Sequence, residues 1–174
     1  MKPHLSSPAF LQSAYTHCTR IAIGLFTSRG QLPPQLFFVG PPAQGDDAST
    51  SKVARTGEQA MAIFHASAHS ADQLLPFIRK ALNPAYEQGK SLQQQIGSPA
   101  VAVHVCHALV SQDAPLTYPE DTQPAVRADG RRECLLVTVH TSTDSHSTMC
   151  PIYRDASGAQ QSAIAPLALA PTGA

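Results

Sequence analysis

The sequence has few charged residues. Only 14% of its 174 residues are Asp, Glu, Lys or Arg, whereas about 25% is usual for a globular domain. Twelve basic and twelve acidic residues give a formal net charge of zero. Proteins that bind nucleic acid or anionic membranes depend on clustered cations for much of their affinity. The composition therefore argues against both classes, and the neutral charge favours self-association or a protein partner.

Long apolar runs and cysteine pairs are also missing. No stretch approaches the roughly 18 to 20 apolar residues of a membrane-spanning helix, and residues 1–9 lack the apolar segment of a secretory signal. The chain has four cysteines and no CxxC pair: Cys18, Cys106, Cys134 and Cys150. This density is far below that of a disulfide-stapled secreted domain. We therefore expect reduced thiols in a cytoplasmic protein.

Common catalytic and nucleotide-binding signatures are absent. The sequence contains no GxGxxG, GxxxxGK[ST], GxSxG or HExxH motif and no EF-hand loop. These absences remove the simplest dinucleotide, P-loop, hydrolase and metalloprotease hypotheses. They do not exclude an enzyme, because many active sites assemble from residues that are distant in sequence.

Two segments carry helical signals. Ser7-Pro8 is a typical helix start, and apolar residues then recur at helical spacing as far as Arg29-Gly30. This pattern predicts an amphipathic N-terminal helix. Residues 70–82 begin with capping-box spacing and continue with a second apolar series. They predict a second helix, with Pro76 near its first turns or at a kink.

Five segments have strand character: 35–39, 60–66, 101–110, 134–141 and 148–154. A short helix is an alternative for 60–66, which is rich in alanine. Residues 43–58 and 111–132 are predicted loops, and a loop as long as the second is functional or disordered. The predicted fold class is α+β, a mostly antiparallel sheet of about five strands with the N-terminal helix and the second helix packed on one face.

The chain divides into one domain and a tail. Residues 1–154 are predicted to form a single α+β domain. Residues 155–174 are mostly Ala, Pro, Gly, Gln and Ser with almost no charge, which predicts a flexible C-terminal tail. Within this tail only residues 164–169 are candidates for docking on the domain.

Histidines and cysteines form the main candidate site. In 101–110, alternation places His104 and Cys106 opposite the valines, and in 134–141 it places Cys134 and His140 opposite the valines. If these strands pair, the four side chains line one side of the sheet. Zinc prefers imidazole and thiolate ligands, so this set is the candidate metal site and zinc the candidate cofactor. The alternative is that the cysteines fill the core and the histidines lie at half-exposed edges.

Two further residues, His146 and Cys150, are predicted to reach the same face from the following turn and edge strand. They are also the best local candidates for a cysteine nucleophile that is activated by histidine. Strand residues four apart are separated by about 13 Å. This pair therefore requires a tight turn between its members.

Phe37 and Phe38 point to opposite faces of their strand. One of them belongs in the core, and the other needs cover from a helix or from a partner. If that cover is intermolecular, the edge of the predicted antiparallel hairpin of 35–39 and 60–66 is an interface.

Two functional classes remain open. We expect a small cytoplasmic binding or accessory module that acts through protein–protein contact, as a homodimer or with a larger partner that it inhibits or regulates. This hypothesis involves no cofactor, membrane or nucleic acid. The alternative is a metal- or thiol-dependent enzyme that uses the His and Cys face of the sheet.

Overall fold

The structure is a computed structural model of the chain, and it describes residues 7–40, 52–56, 59–67, 71–83, 85–87, 90 and 101–169. The elements in chain order are α1 (Pro8–Arg29), β1 (Gln35–Gly40), β2 (Lys52–Thr56), β3 (Gln59–Ser67), α2 (Ala71–Ala81), β4 (Val101–Val110), β5 (Gln123–Pro124), β6 (Arg132–His140), β7 (Ser145–Arg154) and β8 (Gln160–Ser162). In this part of the chain, neither helix has the length and hydrophobicity that a membrane crossing requires.

Helix α1 begins and ends where the sequence predicts. The Ser7 hydroxyl accepts a hydrogen bond from the Phe10 amide at 3.2 Å, which satisfies one of the free N–H groups of the first turn. Gly30 ends the helix in the left-handed conformation with φ of 72°, and its amide donates to the Phe26 carbonyl. The helix buries one face, which consists of Phe10, Leu11, Ala14, Tyr15, Cys18, Thr19, Ala22 and Phe26.

The described strands form one antiparallel sheet in the order β2-β3-β1-β4-β6-β7-β5, and β8 pairs with β7. Six of these strands have five or more residues, and β5 and β8 are short. The α+β class is therefore confirmed, as is a strand at 60–66. The prediction of a loop over residues 43–58 is wrong for residues 52–56, because they form an edge strand that pairs with β3. Residues 43–51, 57 and 58 lie outside the described part.

Two hydrophobic clusters lie on opposite faces of the sheet. The larger cluster packs α1 on the five valines of β4 and β6 that face it, and these are fully buried: Val101, Val103, Val105, Val137 and Val139. The smaller cluster packs Ile78 and Ala81 of α2 and the following Leu82 on Leu36 and Phe38 of β1. The expectation that both helices pack on one face is therefore wrong. Each face of β1 is apolar, so each one needs its own helix to exclude water.

The predicted interface at Phe37 and Phe38 is also wrong. Strand β1 is an inner strand, paired with β3 on one side and with β4 on the other. Phe37 belongs to the cluster under α1, and Phe38 lies under α2 with its ring 6.0 Å from the ring of Phe77. Both phenylalanines are buried within the chain. Neither presents a surface to a partner.

Residues 155–169 dock on the domain, so the prediction of a flexible tail is wrong for them. After β8 pairs with the end of β7, the chain continues along the outer edge of β7. The Tyr15 hydroxyl donates to the carbonyl of Ala165, and the Thr148 hydroxyl donates to the carbonyl of Pro166. Leu167 is buried in the α1 cluster. This agrees with the narrower prediction that residues 164–169 could dock, and residues 170–174 lie outside the described part.

The long segment 111–132 is ordered by contacts with the ends of β6 and β7. Its residues Gln123–Pro124 form β5, which pairs with β7. The Arg132 side chain donates to the carbonyl of Ala114 and lies 5.8 Å from the centre of the Tyr118 ring. Together these contacts fold residues 111–119 over the sheet face opposite α1.

Candidate functional site

The pairing of β4 with β6 places the predicted His and Cys residues on one face. Val103 faces Val139, and Val105 faces Val137, all under α1. The alternate residues therefore lie on the other face. On that face Ala102 pairs with His140, His104 with Thr138, Cys106 with Leu136, and Ala108 with Cys134.

The four residues do not converge into one metal site. The register leaves His104 diagonal to His140 and Cys106 diagonal to Cys134, and each pair is offset by two residues. His140 and Cys134 are six residues apart, which is about 20 Å along a strand, whereas each zinc ligand lies about 2.0–2.3 Å from the metal. Among the described residues, no three His, Cys, Asp or Glu side chains are placed to hold a metal ion. The predicted four-residue zinc site is therefore not formed.

The environment of these groups keeps them uncharged at neutral pH. Burial lowers the pKa of His104, and burial together with His104 and Arg79 lowers the pKa of His140. Burial also raises the pKa of Cys106, and burial with the neighbouring thiols raises that of Cys134 to about 11. Protonated thiols are poor nucleophiles and poor metal ligands.

His146 and Cys150 lie on the opposite face from the other four. His146 pairs with Val139 and Cys150 with Leu135, so both side chains are on the α1 side of the sheet. Cys150 is buried, with its sulfur 3.5 Å from the Tyr15 hydroxyl. Both residues belong to the continuous strand β7, with no tight turn between them. The predicted pairing of these two residues as a nucleophile and its base is therefore wrong.

A cavity of about 390 Å³ lies between α2 and the turn that joins β6 to β7; we call it the α2–hairpin pocket. It includes His140, the only one of the predicted site residues that lines it. The imidazole Nδ1 of His140 lies 2.9 Å from the Ser145 hydroxyl. Sequence reasoning missed this pocket because neither α2 nor the turn carries a recognised motif. Their approach follows from the burial of Ile78 and Leu82 on the sheet.

A larger opening, of about 770 Å³, crosses the outer part of β6 and β7 on the same face. We call it the proline groove. Its floor includes Leu136, Met149 and Pro151, and its sides come from residues 115–119 and 163–166. Of the described residues that line it, none is charged and four are prolines: Pro115, Pro119, Pro151 and Pro166. The groove is therefore an apolar surface with rigid walls.

We assign a structural role to one cluster of polar side chains on the α1 face. Glu133 Oε1 lies 2.9 Å from His107 Nε2 and accepts from Arg127 Nε at 3.2 Å. The edge of the Phe26 ring packs against the His107 imidazole at 5.9 Å. Alternation already places residues 107 and 133 on the valine face. The register that brings them together, with Leu109 opposite Glu133, is visible only in the structure.

Comparison with known proteins identifies no related family: no family model, no curated protein and no solved structure matches this chain.

Proposed function

We propose that the protein is a binding module that acts through protein–protein contact, and that the proline groove is its docking surface. The observation that carries this proposal is the groove itself, a large apolar opening on the sheet face opposite α1. Its volume lies within the roughly 300–1,000 Å³ that is typical of ligand pockets. Ile164 on its rim is one of the exposed large hydrophobic residues of the described chain.

The lining of the groove favours one kind of partner. Because no lining side chain is charged, a charged segment would lose its hydration without gaining an ion pair. Tyr118 and the prolines present flat, rigid surfaces, and such grooves bind extended proline-containing segments, whose preformed conformation loses little entropy on binding. Met149 adds an adaptable apolar contact at the floor. We infer an uncharged, extended, proline-containing segment of a partner protein as the occupant.

A cytoplasmic location is part of this proposal. All four cysteines are free, and Cys18, Cys134 and Cys150 are buried. Free thiols suit a reducing compartment, because oxidising compartments favour disulfides. Inhibition or regulation of a larger partner would require only that docking in the groove compete with another contact of that partner.

The alternative of a metal- or thiol-dependent enzyme has less support. The predicted metal ligands lie in two separated pairs, and the raised pKa of Cys106 and Cys134 keeps both thiols protonated.

A peptide-binding experiment tests the proposal. Fluorescently labelled decapeptides that are uncharged and proline-containing are titrated with the full chain, alongside peptides of the same length with acidic or basic residues in place of the prolines. We expect saturable binding of the first group alone. Ile164→Asp puts a charge on the groove rim and should weaken that binding by about tenfold or more.

Val126→Asp is the matched control. Val126 is 53% exposed, more than Ile164 at 37%, and it lies outside the groove. Its substitution should leave peptide binding unchanged. Equal loss in both variants, or no peptide binding by the parent chain, would contradict the proposal. A homodimer that Ile164→Asp dissociates in light scattering would show instead that a second copy of the chain occupies the groove.

A further inference from the structure

The α2–hairpin pocket has one apolar wall and one polar wall. Leu75 and Ile78 of α2 and Leu82 just after the helix form the apolar wall. The polar wall is formed by the β6–β7 turn and the residues beside it, with four hydroxyl side chains in the run 141–145. A ligand that fills this pocket therefore needs an apolar part and a polar part at opposite sides.

Two opposite charges line the same pocket without neutralising each other. Arg79 projects from the last turn of α2, and Asp144 lies in the β6–β7 turn. Among the described residues neither side chain forms an ion pair. Asp144 Oδ2 accepts a hydrogen bond from the Thr143 hydroxyl at 3.1 Å. The guanidinium and the carboxylate thus face one cavity and are too far apart to contact each other directly.

His140 contributes an uncharged polar group to the same pocket. Its Nδ1 is engaged with the Ser145 hydroxyl at 2.9 Å. Burial, His104 and Arg79 together lower its pKa, so the imidazole is neutral at pH 7. The pocket therefore presents one cation, one anion and neutral hydrogen-bonding groups.

We propose that the α2–hairpin pocket binds a free apolar α-amino acid in its zwitterionic form. The ligand carboxylate pairs with Arg79, the ligand ammonium pairs with Asp144, and the ligand side chain packs on Leu75, Ile78 and Leu82. Arg binds carboxylates well because its planar guanidinium donates two parallel hydrogen bonds. The volume of about 390 Å³ is at the small end of ligand pockets, which suits a single amino acid rather than a cofactor.

Other small ligands fit these charges less well. A simple anion would pair with Arg79 but would leave the carboxylate of Asp144 without a partner. A simple cation would pair with Asp144 but would leave the guanidinium of Arg79 without one. A neutral apolar molecule would leave both charges without a partner, and the bound state would lose part of their hydration.

Isothermal titration of the full chain with L-leucine and L-phenylalanine at millimolar concentrations tests this proposal. N-acetyl-L-leucine lacks the ammonium, and L-leucinamide lacks the carboxylate. We expect saturable binding of at least one free amino acid, with its blocked forms weaker by roughly tenfold or more, because each lost pair is a charge-assisted hydrogen bond.

Variants of Arg79 and Asp144 provide the more specific test. Arg79→Gln should weaken binding of the free amino acid by about tenfold and abolish its advantage over the amide. Asp144→Asn should abolish its advantage over the N-acetyl form. Lys80→Gln is the matched control, because Lys80 is exposed next to Arg79 and does not line the pocket.

Two results would overturn the proposal. The first is the absence of saturable binding by both amino acids to a parent chain whose circular dichroism and thermal melt show a folded protein. The second is binding in which the free and blocked forms are equal, or in which Lys80→Gln is as damaging as Arg79→Gln. Neither result bears on peptide binding in the proline groove, which is measured separately.

Discussion

Replacing Leu167 with alanine tests whether the C-terminal segment is part of the core. Leu167 is only 7% exposed and packs in the α1 cluster. Buried Leu→Ala substitutions cost about 2–5 kcal/mol, and we expect about 2–3 kcal/mol here, because a segment near the chain end can partly close the cavity. For a chain of this length each 1 kcal/mol shifts Tm by roughly 2–4 °C, so Tm should fall by about 4–12 °C.

The matched control for this experiment is Ile164→Ala in the same segment. Ile164 is exposed, so its truncation should change the free energy of unfolding by no more than about 0.5 kcal/mol. Both variants are compared with the parent by thermal melting and by urea unfolding. Equal, small shifts in the two variants would refute the docking of residues 160–169 and would restore the flexible tail that composition predicts.

Three further predictions follow from packing and ionisation. Phe38→Ala should lower the free energy of unfolding, measured in urea, by about 3–5 kcal/mol, because Phe38 is buried under α2. Phe77→Ala should lower it clearly less, because the Phe77 ring that contacts Phe38 is exposed. The pKa values of His104 and His140 are lowered in the folded state, so the unfolded chain binds more protons below the ordinary histidine pKa. The urea midpoint should therefore fall as the pH drops from 7.5 to 5, and the fall should be smaller in the double variant with glutamine at both positions. Burial raises the pKa of Cys134 to about 11, so a thiol reagent at pH 7.5 should modify this cysteine slowly in the native protein and rapidly in urea.

Strict alternation made the central strands predictable. The period-two pattern in 101–110 and 134–141 assigns each side chain to a face without knowledge of the partner strand, and the structure confirms both assignments. The α1 helix was predictable for a similar reason, because Ser7 and Gly30 act on the nearest turns of backbone. Local signals of this kind depend on neighbours within about four residues.

The elements that sequence reasoning missed depend on distant contacts. Strand β2 has no alternation of its own and is defined by its backbone pairing with β3. Residues 160–169 have a composition that is typical of disorder, yet they dock through groups that are far away in the chain. The hydroxyl of Tyr15 donates to Ala165, 150 residues later. No local pattern reports such a contact.

The candidate metal site failed because of the spacing of its residues along β6 and the register of β4 with β6, and not because of residue type. Sharing a face is necessary for ligands to converge, but a closed site also needs matched positions along both strands. The observed pairing puts Thr138 opposite His104 and Leu136 opposite Cys106. No register would have joined all four residues, because Cys134 and His140 lie six residues apart on β6, about 20 Å; register decides only which of these two lies opposite His104 or Cys106. Register is set by many cross-strand pairs together, so residue types at four positions do not fix it.

The distribution of burial confines both proposed sites to the face opposite α1. Under α1 the valines of β4 and β6 are fully buried, so a substitution there acts on binding only through stability. On the other face α2 covers only part of the sheet, and the α2–hairpin pocket and the proline groove open beside it. Thr138 of β6 lies on this face between the two openings, and its hydroxyl is 2.9 Å from that of Ser147, which lines the proline groove. Both openings use the same two strands. If an amino acid bound in the pocket changes the affinity of the groove for the peptide, the bound peptide must change the affinity of the pocket for the amino acid by the same factor.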